Sequence, residues 1–339
     1  MSLLVLNEDE LRQSITVTES IEAVEVAFVA LAEDRVRIPG QFSLDLPHVK
    51  GHVSAKGTYL NNAPYYVIRV NSTFQDNPHI NLSPKSELIN VFDAATGYPV
   101  ATMMDNGYLS ILRAGAAGAI SANYLANKKI ERVAVIGSGN LAYIQLKALM
   151  AVRTFNNVSV WGRTPINVDT YARRIIEDHD LEVEIAPTVE AAVRQAEIVV
   201  TATASLHPLI RADWLKPGVH LIALGSDTPG KQELHIDVLK RADLIIVDDF
   251  EQCAAAGEIH HGLEAGVITR DSIRGELGDL VIGKIVGRTH TDQISVADLT
   301  GLGFQESAMA TLALEKALFL GLGLRADTTT TLPQGWLAD

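Results

Sequence analysis

Residues 137–142 read Gly137-Ser138-Gly139-Asn140-Leu141-Ala142, a G-x-G-x-x-A motif. An apolar, β-branched run (132–136) precedes it, and a stretch of helical spacing, Leu141 to Val152, follows. In that setting the first glycine makes a tight turn and the second lets backbone approach a pyrophosphate. The small Ala142 allows helix and sheet to pack closely. The N–H groups that open the helix then face the phosphates. A dinucleotide is the expected ligand. An NAD-preferring domain usually carries Asp or Glu about 20 residues later, for the ribose 2′-hydroxyl. Here the segment reads Trp161-Gly162-Arg163-Thr164, and no carboxylate comes before Asp169. A guanidinium and a hydroxyl suit a 2′-phosphate, so NADP(H) is expected. NAD(H) stays open if Arg163 is only a solvated loop cation.

Two further segments follow strand-like runs, Thr201-Ala202-Thr203-Ala204-Ser205 and Leu224-Gly225-Ser226-Asp227. Both fall at carboxyl ends of strands, where open α/β sheets bind ligands. Asp227, next to the turn 228–230, suits a general base or an ammonium partner, although turn aspartates are common for purely local reasons. Three cations complete the set. Lys56 and Arg69 lie on or beside successive strands, and Arg113 begins an Ala/Gly-rich helical segment. Converging, they would hold a carboxylate and polarise a C=N or C=O bond. His207, His235, His260 and His261 lack zinc spacing, so no metal is expected.

These residues must be carried by about two domains, since the chain has 339 residues. Six short apolar runs between 132 and 248, mostly separated by helical spacing, predict a doubly wound parallel sheet of Rossmann type. We place that NAD(P)-binding domain at 122–305. The first part reads as α+β, with a helix over 18–34, strands at 65–70, 87–92 and 99–104, and a hairpin at Gly97. Residues 1–121, completed by a C-terminal helix within 306–339, form the second domain. The glycines of 109–125 disfavour helix by about 1 kcal/mol each, so their use there signals close packing.

The formal net charge is −13, which sets this surface against nucleic acid and anionic membranes. A single cysteine, Cys253, rules out an internal disulfide. Neither a signal peptide nor a membrane span is visible, so a cytoplasmic protein is expected.

The blocks 104–113, 135–142, 225–234, 257–259 and 297–303 together resemble the ornithine cyclodeaminase/μ-crystallin family over nearly the whole chain. The stretches 106–108 and 297–301 look most like its ectoine-utilisation cyclodeaminase subgroup. The resemblance implies a homodimer formed through the N-terminal domain. It also implies NAD(P)(H) and hydride transfer at the α-carbon of a small amino or imino acid. Arg113 matches the arginine that grips the substrate carboxylate, and Asp227 the aspartate that handles the substrate amine in cyclodeaminases.

Two positions depart from the family. Gln41 stands where an arginine often assists with the carboxylate. Arg69 stands at the usual catalytic lysine, and arginine cannot shuttle protons as lysine does. Lys56 is then the candidate acid, with Arg69 and Gln41 as substrate-binding residues. An imine reductase or amino-acid dehydrogenase is the first expectation. A cyclodeaminase that recycles its own cofactor is the second, and a nucleotide-binding sensor the third.

Overall fold

The computed structural model describes residues 2–40 and 42–327, so Gln41 lies outside the described residues. The described residues divide into two compact units.

The larger unit comprises 17–35 and 110–305. Its eight-stranded sheet runs, edge to edge, Glu182–Ile185, Asn157–Trp161, Arg132–Ile136, Ile198–Thr201, His220–Ala223, Ser295–Asp298, Leu244–Val247, Gly275–Glu276. Every neighbouring pair is parallel. The chain starts in the middle, builds outwards to 182–185, then returns across Arg132–Ile136 to build the other half. That reversal makes a switch point between Arg132–Ile136 and Ile198–Thr201, where ligands bind in such sheets. Ile198–Thr201, His220–Ala223 and Leu244–Val247 are buried along their whole length, as strands covered on both faces are. All six expected strands are present. Ser295–Asp298 was not foreseen, because four residues with a polar one at each end carry no apolar run. Its burial between two apolar strands makes it one.

The Ala/Gly segment forms the helix Tyr108–Leu125. Gly115 and Gly118 lie directly against Ile144 and Gln145 of the helix Asn140–Val152, where a Cβ would overlap. This is the close packing that their sequence cost implied.

The other unit comprises 2–16, 36–109 and 306–327 among the described residues. Its eight-stranded sheet has the order Leu324–Asp327, Ser2–Asn7, Pro99–Met104, Lys85–Asp93, Tyr65–Phe74, Gly51–Leu60, with Val36–Arg37 and Phe42–Leu46 both pairing with Gly51–Leu60. Only Ser2–Asn7 and Pro99–Met104 run parallel, which makes the sheet mixed. Gly97, at φ +74°, turns the expected hairpin.

The division differs from the expected boundaries in two places. Helix Val17–Ala32, assigned above to the N-terminal domain, groups with the larger unit. Its buried face packs on the helices Leu277–Val281 and Asn140–Val152, and Phe28 meets Phe304 edge-on at 5.4 Å. The boundary also falls at 109/110 rather than 121/122, because the small-residue helix buries its glycines against Asn140–Val152. Among the described residues, no helix is long and apolar enough to cross a membrane.

Candidate active site

The glycine motif lies at the switch point of the larger unit. Gly137 has φ +124°, and a Cβ there would sit 2.5 Å from the Ala202 carbonyl oxygen. Conformation and space both demand glycine. Gly139 is the opposite case: it is exposed, with nothing within 4 Å of where a Cβ would stand. Open backbone at that point is what an approaching pyrophosphate requires. Gly139 also caps Asn140–Val152 without any side-chain bond, leaving the first N–H groups of the helix for a ligand. Ala142 is fully buried and Leu141 half-buried, while Asn140 is exposed at the helix start.

A cleft of about 210 Å³ at this turn brings together Gly137, Ser138, Gly162, Arg163, Thr164, Ala202 and Thr203. Ser205, the end of the expected segment after Ile198–Thr201, lines it too, as does Asn167, which was not foreseen. No carboxylate is among the lining residues. Arg163 is exposed, and Thr164 precedes Pro165–Asp178, a helix with no acidic residue in its first turn. The Thr164 hydroxyl makes no capping bond, so its bonding capacity is not spent on the helix. Thr201 and Ser226, also expected here, are not among the lining residues. Thr201 is 1% exposed. Ser226 is buried, its Oγ 2.8 Å from the Lys231 carbonyl and 3.2 Å from that of Ala256, so it shapes its own loop.

The smaller unit places Lys56 and Arg69 directly opposite each other on antiparallel strands, hence on one face. Their chemistry differs. Arg69 gives Nε and Nη2 to Glu87, at 3.0 and 2.9 Å, and Nη1 to Glu306 at 2.6 Å. Burial works against its charge, but the attraction of Glu306 and Glu87 outweighs it and raises the Arg69 pKa. Arg69, expected to bind substrate, has its guanidinium engaged here by two buried carboxylates, whose charge it offsets. Asp105 lies in the same network. Burial first, and the charge of Glu87 second, push its pKa up to about 6.

Arg113 and Asp227 belong to the larger unit. Arg113 lies with its guanidinium against Gly301, where any Cβ would overlap Nη1. Gly301 has φ +84°, a second reason for glycine, and its role was not foreseen. Asp227 projects from the loop after His220–Ala223 and is half-exposed, with Oδ1 2.5 Å from Lys231 Nζ. The larger surprise is Glu233. It is wholly buried, accepting from the N–H and hydroxyl of Thr203 at 2.6 and 2.7 Å and from the N–H of Gly225 at 2.8 Å. In sequence it stands in the polar stretch 231–233, which reads as surface.

A profile of the ornithine cyclodeaminase/mu-crystallin family matches residues 1–319. An uncharacterised cyclodeaminase, y4tK, of Sinorhizobium fredii is 35% identical, over 93% of this chain and 96% of its own. Among solved structures, an archaeal alanine dehydrogenase dimer with bound NAD has a TM-score of 0.90 at 32% identity, over 97% of this chain and 100% of that one. The iminosuccinate reductase of Paracoccus denitrificans, in complex with NAD+, has a TM-score of 0.90 at 29% identity, over 96% and 100%.

Proposed function

The chain belongs to the ornithine cyclodeaminase/mu-crystallin family, and on that premise we propose that it is an NAD(P)H-dependent reductase. It would convert a small imino or 2-oxo acid plus amine into the amino acid, by hydride transfer at the α-carbon. The observation that carries this reading is the glycine turn at the switch point, with Gly139 open and its cleft beside it. Arg113 receives the substrate carboxylate, a charge-assisted contact that a guanidinium makes in two places. Lys56 supplies the proton to the imine nitrogen, since of the two opposed cations only a lysine can give up its proton. Asp227 places the amine, which requires it to part from Lys231. Asp227 also keeps a second reading open. A carboxylate there suits a cyclodeaminase, which would oxidise the α-amine, lose ammonia after ring closure and re-reduce the ring.

Stoichiometry separates the two. The reductase consumes one NADPH per imine, seen as falling absorbance. A cyclodeaminase releases ammonia with no net change in cofactor, and that result would replace the first reading with the second.

We propose NADP(H) as the preferred cofactor, with Arg163 and Thr164 facing the 2′-phosphate; the relatives with solved structures hold NAD. The support is a cleft wall that offers a guanidinium and an uncommitted hydroxyl and no carboxylate. A hydrogen bond to a charged group is worth about 1.5–3 kcal/mol, roughly 10- to 100-fold in affinity. Arg163→Ala should weaken NADPH by that factor and NADH by less than about threefold. Equal losses in fluorescence titrations of the two would refute the assignment.

We further propose a homodimer. The face of the smaller unit's sheet opposite Lys56 and Arg69 carries Tyr59, Tyr66 and Ile68 around a groove of about 710 Å³, and Tyr66 stacks on Phe92 at 4.9 Å. An apolar face of that kind suits a second copy of the chain. The archaeal relative is a dimer. Sedimentation equilibrium tests this, and a monomer at micromolar concentration would exclude it.

A further inference from the structure

Three of the sequence blocks that carry the family resemblance contain acids with no role in the chemistry above: Glu233, Glu258 and Asp298. All three are buried in the larger unit, as is Asp248, and each grips the backbone beside the next. Asp248 accepts from the Gly301 N–H at 2.5 Å and from the Thr300 hydroxyl at 3.0 Å. Its own N–H donates to the Asp298 carbonyl at 3.1 Å. The Asp298 carboxylate accepts from the N–H of Ile259 at 2.9 Å. Neighbouring Glu258 accepts from the N–H groups of Glu233 and Leu234, at 2.7 and 2.9 Å. Glu233 closes the series on Thr203 and Gly225. Among the described residues none of the four is ion-paired; their partners are N–H, hydroxyl and thiol groups.

The ends of this series lie at functional places. Gly301 is the surface against which Arg113 rests, and Thr203 lines the nucleotide cleft. A buried carboxylate held by two backbone N–H groups has no rotamer freedom to spare, and a chain of them transmits position rigidly. Apolar packing would fill the same volume without desolvating four acids, so filling space is not what these residues contribute.

We propose that Asp248, Asp298, Glu258 and Glu233 are positioning residues. They tie the seat of Arg113 at Gly301 to the backbone of Thr203, at the nucleotide cleft, and of neighbouring Gly225, and so fix the distance over which hydride passes. This rests on the reductase reading above. Glu258 is the link that touches neither end, and Glu258→Gln sets an amide NH2 against the N–H of Glu233 or Leu234.

A displacement of about 1 Å at the reacting atoms can cost 100-fold, so kcat should fall on the order of 10- to 100-fold. The KM for the imino acid and the affinity for NADPH should stay within about threefold. The deuterium isotope effect with NADPH labelled at the transferred position should rise. A merely structural role would lower the melting temperature and leave the isotope effect of the folded enzyme unchanged; that outcome overturns the proposal.

Hydrogen exchange on the wild-type protein keeps the test open if the variant does not fold. The amides of Thr203, Gly225, Glu233 and Leu234 should fall in the slowest-exchanging class, and rapid exchange at Thr203 and Gly225 would also overturn it. Wild-type protein that turns over no imino or oxo acid would sink the reductase reading instead, with the exchange data still judging the carboxylate series.

Discussion

Arg113→Ala should lower kcat/KM on the order of 1,000-fold. Removing one partner of a buried charge pair costs about 2–5 kcal/mol, and each 1.4 kcal/mol is tenfold. The loss should appear chiefly in KM, because the substrate carboxylate is bound in ground and transition states alike. Affinity for NADPH should be unchanged, since Arg113 is not among the residues of the nucleotide cleft. Steady-state kinetics with a panel of imino acids, alongside fluorescence titration of NADPH, checks both statements. Gly301→Ala is the sharper version. Alanine at φ +84° is strained, and its methyl would occupy the place of the guanidinium. It should reproduce most of the Arg113→Ala loss without removing any charge. A Gly301→Ala enzyme with normal KM would show that Arg113 works from some other position.

The nucleotide half was legible because its signals are local. A strand, a glycine turn and a helix are contiguous in sequence, and the absent carboxylate after 161 is a matter of counting. The structure then supplies the reason for each glycine: Gly137 for the Ala202 carbonyl, Gly139 for open approach. The substrate half was read less well because its signals are not local. Arg69 looks like a free cation on a strand. Its partners Glu87 and Glu306 are 18 and 237 residues away, and only the folded chain brings them in. Glu233 was passed over for a related reason. Polar neighbours such as Lys231 and Gln232 predict exposure, yet the N–H groups of Thr203 and Gly225 meet at the strand ends and need an acceptor. Strand Ser295–Asp298 shows the limit of apolar patterning: it is short, and only insertion between two apolar strands defines it. Helix Val17–Ala32 was read correctly as a helix, but sequence order says nothing of which sheet it covers.

Arg69→Met should cost stability rather than substrate affinity, which is the opposite of what a carboxylate clamp would show. The side chains of Arg69, Glu87 and Glu306 are 14%, 13% and 3% exposed, so the pairs are screened little by solvent. Taking the cation away leaves two buried acids uncompensated, and breaking a buried pair in this way costs about 3–5 kcal/mol. Denaturant unfolding at pH 8 should show that loss in full.

The pH dependence carries a sign of its own at Asp105. Its pKa is pushed up to about 6 from 3.8, by burial and then by Glu87, while Arg69 pulls it down. Its contribution is fully present below pH 4 and is lost as pH rises through about 6, a slope worth roughly 3 kcal/mol at most. In Arg69→Met that slope should extend to higher pH, because the one charge opposing it is gone. Adding Glu87→Gln and Glu306→Gln to Arg69→Met removes the stranded charges and should restore most of the stability. A single variant as stable as wild type at pH 8, but with a KM raised 100-fold, would return Arg69 to the substrate.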